Sequence, residues 1–132
     1  MRLFGSRGPE KQGVPVAEIH PRSLGRFVRA VAVLALPYEQ QFAWLYSLGL
    51  GIPGLADELF EELRDGRILA SQFREMNWIS AEAEKQTVFL YDFLAERDLS
   101  EFEGFWDMQG LRTSPEWDEV RKLAFKLLLE IT

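Results

Sequence analysis

Apolar residues recur along this chain at three- and four-residue intervals and show no sustained alternation with polar ones, a pattern that predicts helices and no sheet. It is sharpest over residues 54–66. At about 100° per residue, Leu55, Ala56, Leu59, Phe60 and Leu63 share one arc of roughly 140°, and Asp57, Glu58, Glu61, Glu62 and Asp65 occupy the opposite one. One side asks for a core and the other is a row of carboxylates. Gly66 is expected to end this helix or bend it, with Leu69, Phe73 and Met76 predicting another one or two turns beyond.

Upstream, residues Ser23 to Leu36 carry Leu24, Phe27, Val28, Val31, Leu34 and Ala35 at helical spacing, with Arg22, Arg26 and Arg29 toward the other side. A helix is expected, although the β-branched run from Val31 to Leu36 leaves a buried strand open. Pro37 suits the first turn of a second helix, Tyr38 to Leu48, where its missing donor costs nothing. Gly49, Gly51, Pro53 and Gly54 then predict a tight connection.

Downstream, Asn77, Trp78, Ile79 and Ser80 read as a break. Ser80 is the N-cap of a helix over Ala81 to Arg97, with Glu82 and Glu84 in its first turn as the helix dipole favours. Val88, Phe89, Leu90, Tyr91, Phe93 and Leu94 make it apolar around much of its circumference, so it is expected at the centre of the fold. Ser100 and Glu103 match a capping box before a short helix, Glu101 to Gln109, with Phe102, Phe105 and Trp106 inward and Gly110 as its stop. Ser114-Pro115 opens the last helix. Its inner face is Trp117, Val120, Leu123, Ala124, Leu127, Leu128 and Ile131, and Asp118 is expected to pair with Lys122. The predicted architecture is a single all-α domain over residues 23–132, a compact bundle of about six helices. It follows an irregular basic arm, residues 1–22. Gly5, Gly8, Pro9, Gly13, Pro15 and Pro21 leave that arm room for at most a short extended piece from Val14 to Ile19.

A chain of 132 residues with 47% hydrophobic and 13% aromatic residues supports a core of its own and is not a disordered composition. Charge divides the chain. Residues 1–29 hold six basic against two acidic groups, and residues 30–132 hold nine against nineteen, a net of −10. So acidic a body repels a phosphate backbone, which argues against nucleic-acid binding by the main domain. Cysteine is absent, which excludes disulfides and thiolate chemistry and makes a cytoplasmic address the expectation. The N-terminus lacks the apolar stretch of a signal peptide. The longest apolar run, Ala30 to Leu36, falls far short of the ~20 residues that cross a bilayer, so neither export nor membrane association is expected.

Catalytic chemistry finds no footing. His20 is the single histidine and sits beside Pro21 at the end of the arm, where a structural or exposed role outweighs a catalytic one. Gly49-Leu-Gly51-Ile-Pro-Gly54 has glycines but no lysine for a phosphate, and it leads into acids. Glu58 and Glu61 offer a hard cation two carboxylates without an inward-facing partner. No catalytic residue, metal site or cofactor is predicted. Of the four tryptophans, Trp78 is the candidate for exposure because it falls in a break, and it joins the carboxylate row as a candidate partner-binding residue.

The passage Pro37-Tyr-Glu-Gln-Gln-Phe-Ala-Trp-Leu-Tyr-Ser-Leu-Gly-Leu50, followed by Asp57-Glu-Leu-Phe-Glu-Glu-Leu63, resembles small acidic immunity-type proteins of bacterial polymorphic toxin systems. That resemblance implies a non-enzymatic domain that binds and blocks a cognate toxin. Many nuclease toxins are basic, so the row Asp57, Glu58, Glu61, Glu62 and Asp65 becomes the expected docking face. Two other readings stay open. One is a regulatory or structural helical module acting as a homodimer or adaptor through its tryptophans and last helix. The other is a small helical ligand-binding protein with a pocket among Trp44, Trp78 and Trp106. For the carboxylate row itself, an ordinary solvated helix face is the competing account.

Overall fold

The computed structural model describes residues 19–48, 57–97 and 104–131, and they form six helices. These are α1 (Pro21–Leu34), α2 (Tyr38–Ser47), α3 (Asp57–Glu75), α4 (Ala81–Glu96), α5 (Met108–Thr113) and α6 (Pro115–Ile131). No strand occurs among the described residues, so the run from Val31 to Leu36 is helix and turn. The all-α expectation holds.

Four long helices make the body. α1 packs on α3 and α6, and α4 packs on the same two. Cross-helix bonds give the directions: Arg29 reaches Glu62 between α1 and α3, Arg74 reaches Glu84 between α3 and α4, and Ser80 reaches Glu130 at the far ends of α4 and α6. Each neighbour therefore runs antiparallel to the next, an up-down-up-down bundle. One end holds the α3–α4 hairpin, and α2 and α5 cover the other. The core is Phe27, Val31 and Leu34 of α1, Leu59, Leu63 and Phe73 of α3, Leu90 and Leu94 of α4, and Trp117, Val120, Ala124 and Leu127 of α6, with Leu45 and Leu111 closing from α2 and α5. The expected inner face of α6 is observed, with Leu123, Leu128 and Ile131 at its partly buried edges.

Several expected boundaries move, each for a physical reason. Pro21 does not end the arm but opens α1 at its first position, where a proline's missing N–H is no loss. His20 caps that helix, its Nδ1 accepting from the Arg22 N–H at 3.0 Å, and Ile19 is buried in the core. Residues 19–22 thus belong to the folded unit and not to the arm. The expected extended piece from Val14 lies, apart from Ile19, outside the described residues, as do the Gly49–Gly54 connection and the capping box at Ser100 and Glu103.

Gly66 does not end its helix, since α3 runs through it to Glu75. It is a point of close approach: a Cβ there would collide with the Phe27 ring of α1. The break after α3 comes where expected, with Asn77 at φ 61° and the Ser80 hydroxyl accepting from the Ala83 N–H at 3.0 Å. The short aromatic helix is not at Glu101–Gln109. Residues 104–107 form a turn that buries Phe105, and α5 starts only at Met108, capped by Asp107 accepting from the Gly110 N–H at 2.7 Å. Gly110 is therefore inside a helix and not its stop. A Cβ on it would run into the Gly104 and Phe105 carbonyls.

Two further expectations are corrected. α4 is a wall of the bundle and not its axis, because Phe89 on its outer side is 58% exposed. Asp118 pairs with Arg121 at 3.0 Å, one residue short of Lys122.

Candidate functional site

On α3, the expected face is present but not uniform. Glu61 and Asp65 are exposed, Glu58 and Glu62 are half-buried, and the side chain of Asp57 lies outside the described residues. Glu62 accepts from Arg29 of α1 at 3.1 Å, and Glu61 is met by Arg64 one turn on at 2.6 Å. Glu58 and Asp65 make no ion pair among the described residues. The row therefore points outward, as its helical spacing requires, while arginines of the same chain offset part of its charge. Exposed pairs of this kind contribute about 0–1 kcal/mol each and exchange readily for a partner's cations.

Trp78 does not join that row. It stands at the α3–α4 turn, half-buried, stacked on Phe73 with ring centroids 6.1 Å apart. Trp106 is at the opposite end of α4, its indole N–H donating to the Arg97 carbonyl at 2.8 Å and so satisfying an end of α4. The 16 residues of α4 separate them by about 24 Å. A single pocket lined by Trp44, Trp78 and Trp106 is excluded. Trp106 belongs instead to an aromatic cluster with Phe60, Phe105 and Trp117, in which Phe105 and Trp117 stack at 4.6 Å and 6°.

The most connected polar group is one that sequence reasoning passed over. Gln41 of α2 is fully buried, and its amide donates to the Val33 and Leu34 carbonyls at 3.1 Å each, capping the buried C-terminal end of α1. Its oxygen accepts from Arg121 Nε at 3.0 Å and from Nη2 at 2.7 Å. Arg121 also donates to the Leu111 carbonyl at 2.6 Å and to Asp118. Burial pushes the Arg121 guanidinium below its ordinary pKa, and the carboxylates of Asp118 and Glu39 oppose that shift. One Gln and one Arg thereby tie α1, α2, α5 and α6 together. The node also explains why Asp118 turns to Arg121 and not Lys122. No local signal marks Gln41, whose partner is 80 residues away.

A groove of about 480 Å³ runs between α4 and α6, lined by Glu82, Lys85, Gln86, Val88, Phe89 and Asp92 on one side and Leu123 and Lys126 on the other. Elsewhere, Tyr38, Phe42 and Tyr46 follow one another along α2, the first pair tilted at 6.1 Å and the second stacked at 6.2 Å, with Tyr46 67% exposed. Among the described residues no group of three or more histidine or carboxylate side chains is placed to hold a metal ion, and no helix is long and apolar enough to cross a membrane. In comparisons with known proteins, no family model, no curated protein sequence and no solved structure matches this chain.

Proposed function

We propose that this chain is a non-enzymatic protein-binding domain of the immunity type, whose partner is a basic protein met by the carboxylate row of α3. The observation that carries this reading is the outward stand of Glu58, Glu61 and Asp65 on a body whose residues 19–132, twelve basic against nineteen acidic groups, have a net charge of −7. A field of that sign speeds the encounter with a basic surface and is weakened by salt. The resemblance of residues 37–63 to immunity-type proteins of bacterial toxin systems supports the same class, and a cytoplasmic address belongs to it. Arg29 fits this reading as an internal stand-in for the partner, holding Glu62 until a stronger cation displaces it.

The test is co-expression with the product of the neighbouring gene, followed by co-purification at low and high salt. The expected outcome is a complex that relieves the toxicity of that product. Its association should slow about tenfold or more in the variant Glu58→Gln/Glu61→Gln/Asp65→Asn. Absence of a complex, or a complex indifferent to both salt and the triple substitution, removes the reading.

A further inference from the structure

We infer that the outer face of α4 is a self-complementary surface that pairs two copies of this chain about a two-fold axis. The inference is independent of the carboxylate row on α3. It starts from a stripe of exposed residues on α4, Lys85, Phe89, Asp92 and Glu96, spaced by four, three and four and so aligned on one side of the helix. Phe89 is 58% exposed at its middle, beside half-buried Val88, and neither Lys85 nor Asp92 makes an ion pair among the described residues. The two charges are seven residues apart, about 10 Å along the helix, with the ring between them.

A second copy of α4 laid antiparallel, with the axis between positions 88 and 89, sets each residue opposite the one whose number completes 177. Lys85 then faces Asp92 of the second copy and Asp92 faces its Lys85, so both pairs form at once, as a two-fold contact requires. The same register brings Phe89 beside Phe89 of the second copy on one side of the contact and Val88 beside Val88 on the other. Glu82 and Glu96 of the second copy also come level, within one residue's rise, so two like pairs at the ends of the contact flank the two Lys85–Asp92 pairs at its centre. At the 8–10 Å separation of packed helices, Phe89 enters the groove that Leu123 and Lys126 close on the far side. The ring's exposure, the groove beside it and the opposite charges either side of it thus share one explanation. A second copy carries all three features in matching order.

Sedimentation of the full chain over a concentration series tests this, with circular dichroism confirming that each variant keeps its helix content. Wild type is expected to dimerise, and Lys85→Asp and Asp92→Lys each to weaken the dimer about tenfold or more, since either puts two like pairs across the axis. Mixing these two variants restores both pairs, as does Lys85→Asp/Asp92→Lys in one chain, so both samples regain the dimer. Phe89→Ser is expected to leave a folded monomer. The α3 triple variant dimerises normally, which separates this result from that of the proposed function. A wild type that stays monomeric overturns the inference. So does a dimer that survives both charge reversals and Phe89→Ser, or reversals that mixing does not rescue.

Discussion

The two ends of the bundle are closed by different means. At the hairpin end, α3 passes to α4 through five residues, and closure is local. Asn77 takes the left-handed turn, Trp78 stacks back on Phe73, and Ser80 caps the next helix three residues on. At the other end, α2 and α5 lie across the mouth, and closure comes from groups far apart in sequence. Trp117 donates its indole N–H to the Phe105 carbonyl at 2.7 Å, and Arg121 reaches Gln41 across 80 positions. A hairpin brings its own partners together, whereas longer connections leave helix ends whose backbone groups must be satisfied from elsewhere. Stability should therefore be concentrated at the α2–α5 end.

Trp117→Ala should break that end most severely. It removes a fully buried indole, the stack on Phe105 and a buried hydrogen bond, for a loss of about 3–5 kcal/mol in chemical denaturation. Next comes the polar node. Gln41→Leu strands the Leu34 carbonyl, since that of Val33 keeps the Leu36 N–H, and removes an acceptor from a half-buried guanidinium, while Arg121→Met strands the Leu111 carbonyl and the Gln41 oxygen. Each should cost about 2–4 kcal/mol. In a double-mutant cycle the pair should cost less than the sum of the singles, because the second substitution removes a group the first left stranded. Strict additivity would mean the node is not a unit.

The same contrast decides what could be read from the chain alone. Ser80, Pro37 and Ser114-Pro115 act within three residues of themselves, so their helices start where the pattern says. Gly66 looks like a stop because its reason, Phe27, is 39 positions away and enters only when α1 lies on α3. α5 was displaced because Ser100 and Glu103 offered a cap earlier than Asp107, and nothing local ranks the two. The apolar circumference of α4 predicts a central helix only if every apolar residue is buried within one chain, and Phe89 is not. The carboxylate row was legible from helical spacing alone. Its partial neutralisation by Arg29 was not, since that contact depends on how two helices are set against each other.

Gly66→Ala probes the middle of the bundle, between the two regimes. Alanine should gain up to about 1 kcal/mol in an isolated helix. Here the collision with Phe27 should reverse the sign, giving a net loss of about 1–3 kcal/mol by thermal or chemical denaturation. Phe27→Leu in the same chain should return part of that loss, and a net gain from Gly66→Ala alone would show that α1 and α3 can separate without penalty.

At the hairpin end the expected effects are smaller, and Ser80 shows why. Ser80→Ala loses the cap on the Ala83 N–H, and a loss of about 1 kcal/mol is expected. The same hydroxyl donates to Glu130 of α6 at 3.3 Å, so alanine by itself does not tell local closure from long-range closure. Ser80→Asp does: its carboxylate still accepts from the Ala83 N–H and suits the helix dipole, but it cannot donate to Glu130 and brings a like charge beside it. If this end is closed locally, Ser80→Asp should stay within about 0.5 kcal/mol of wild type in denaturation at neutral pH while Ser80→Ala does not. Equal losses from the two would put the weight on the contact with α6, and the two ends would then differ in degree and not in kind.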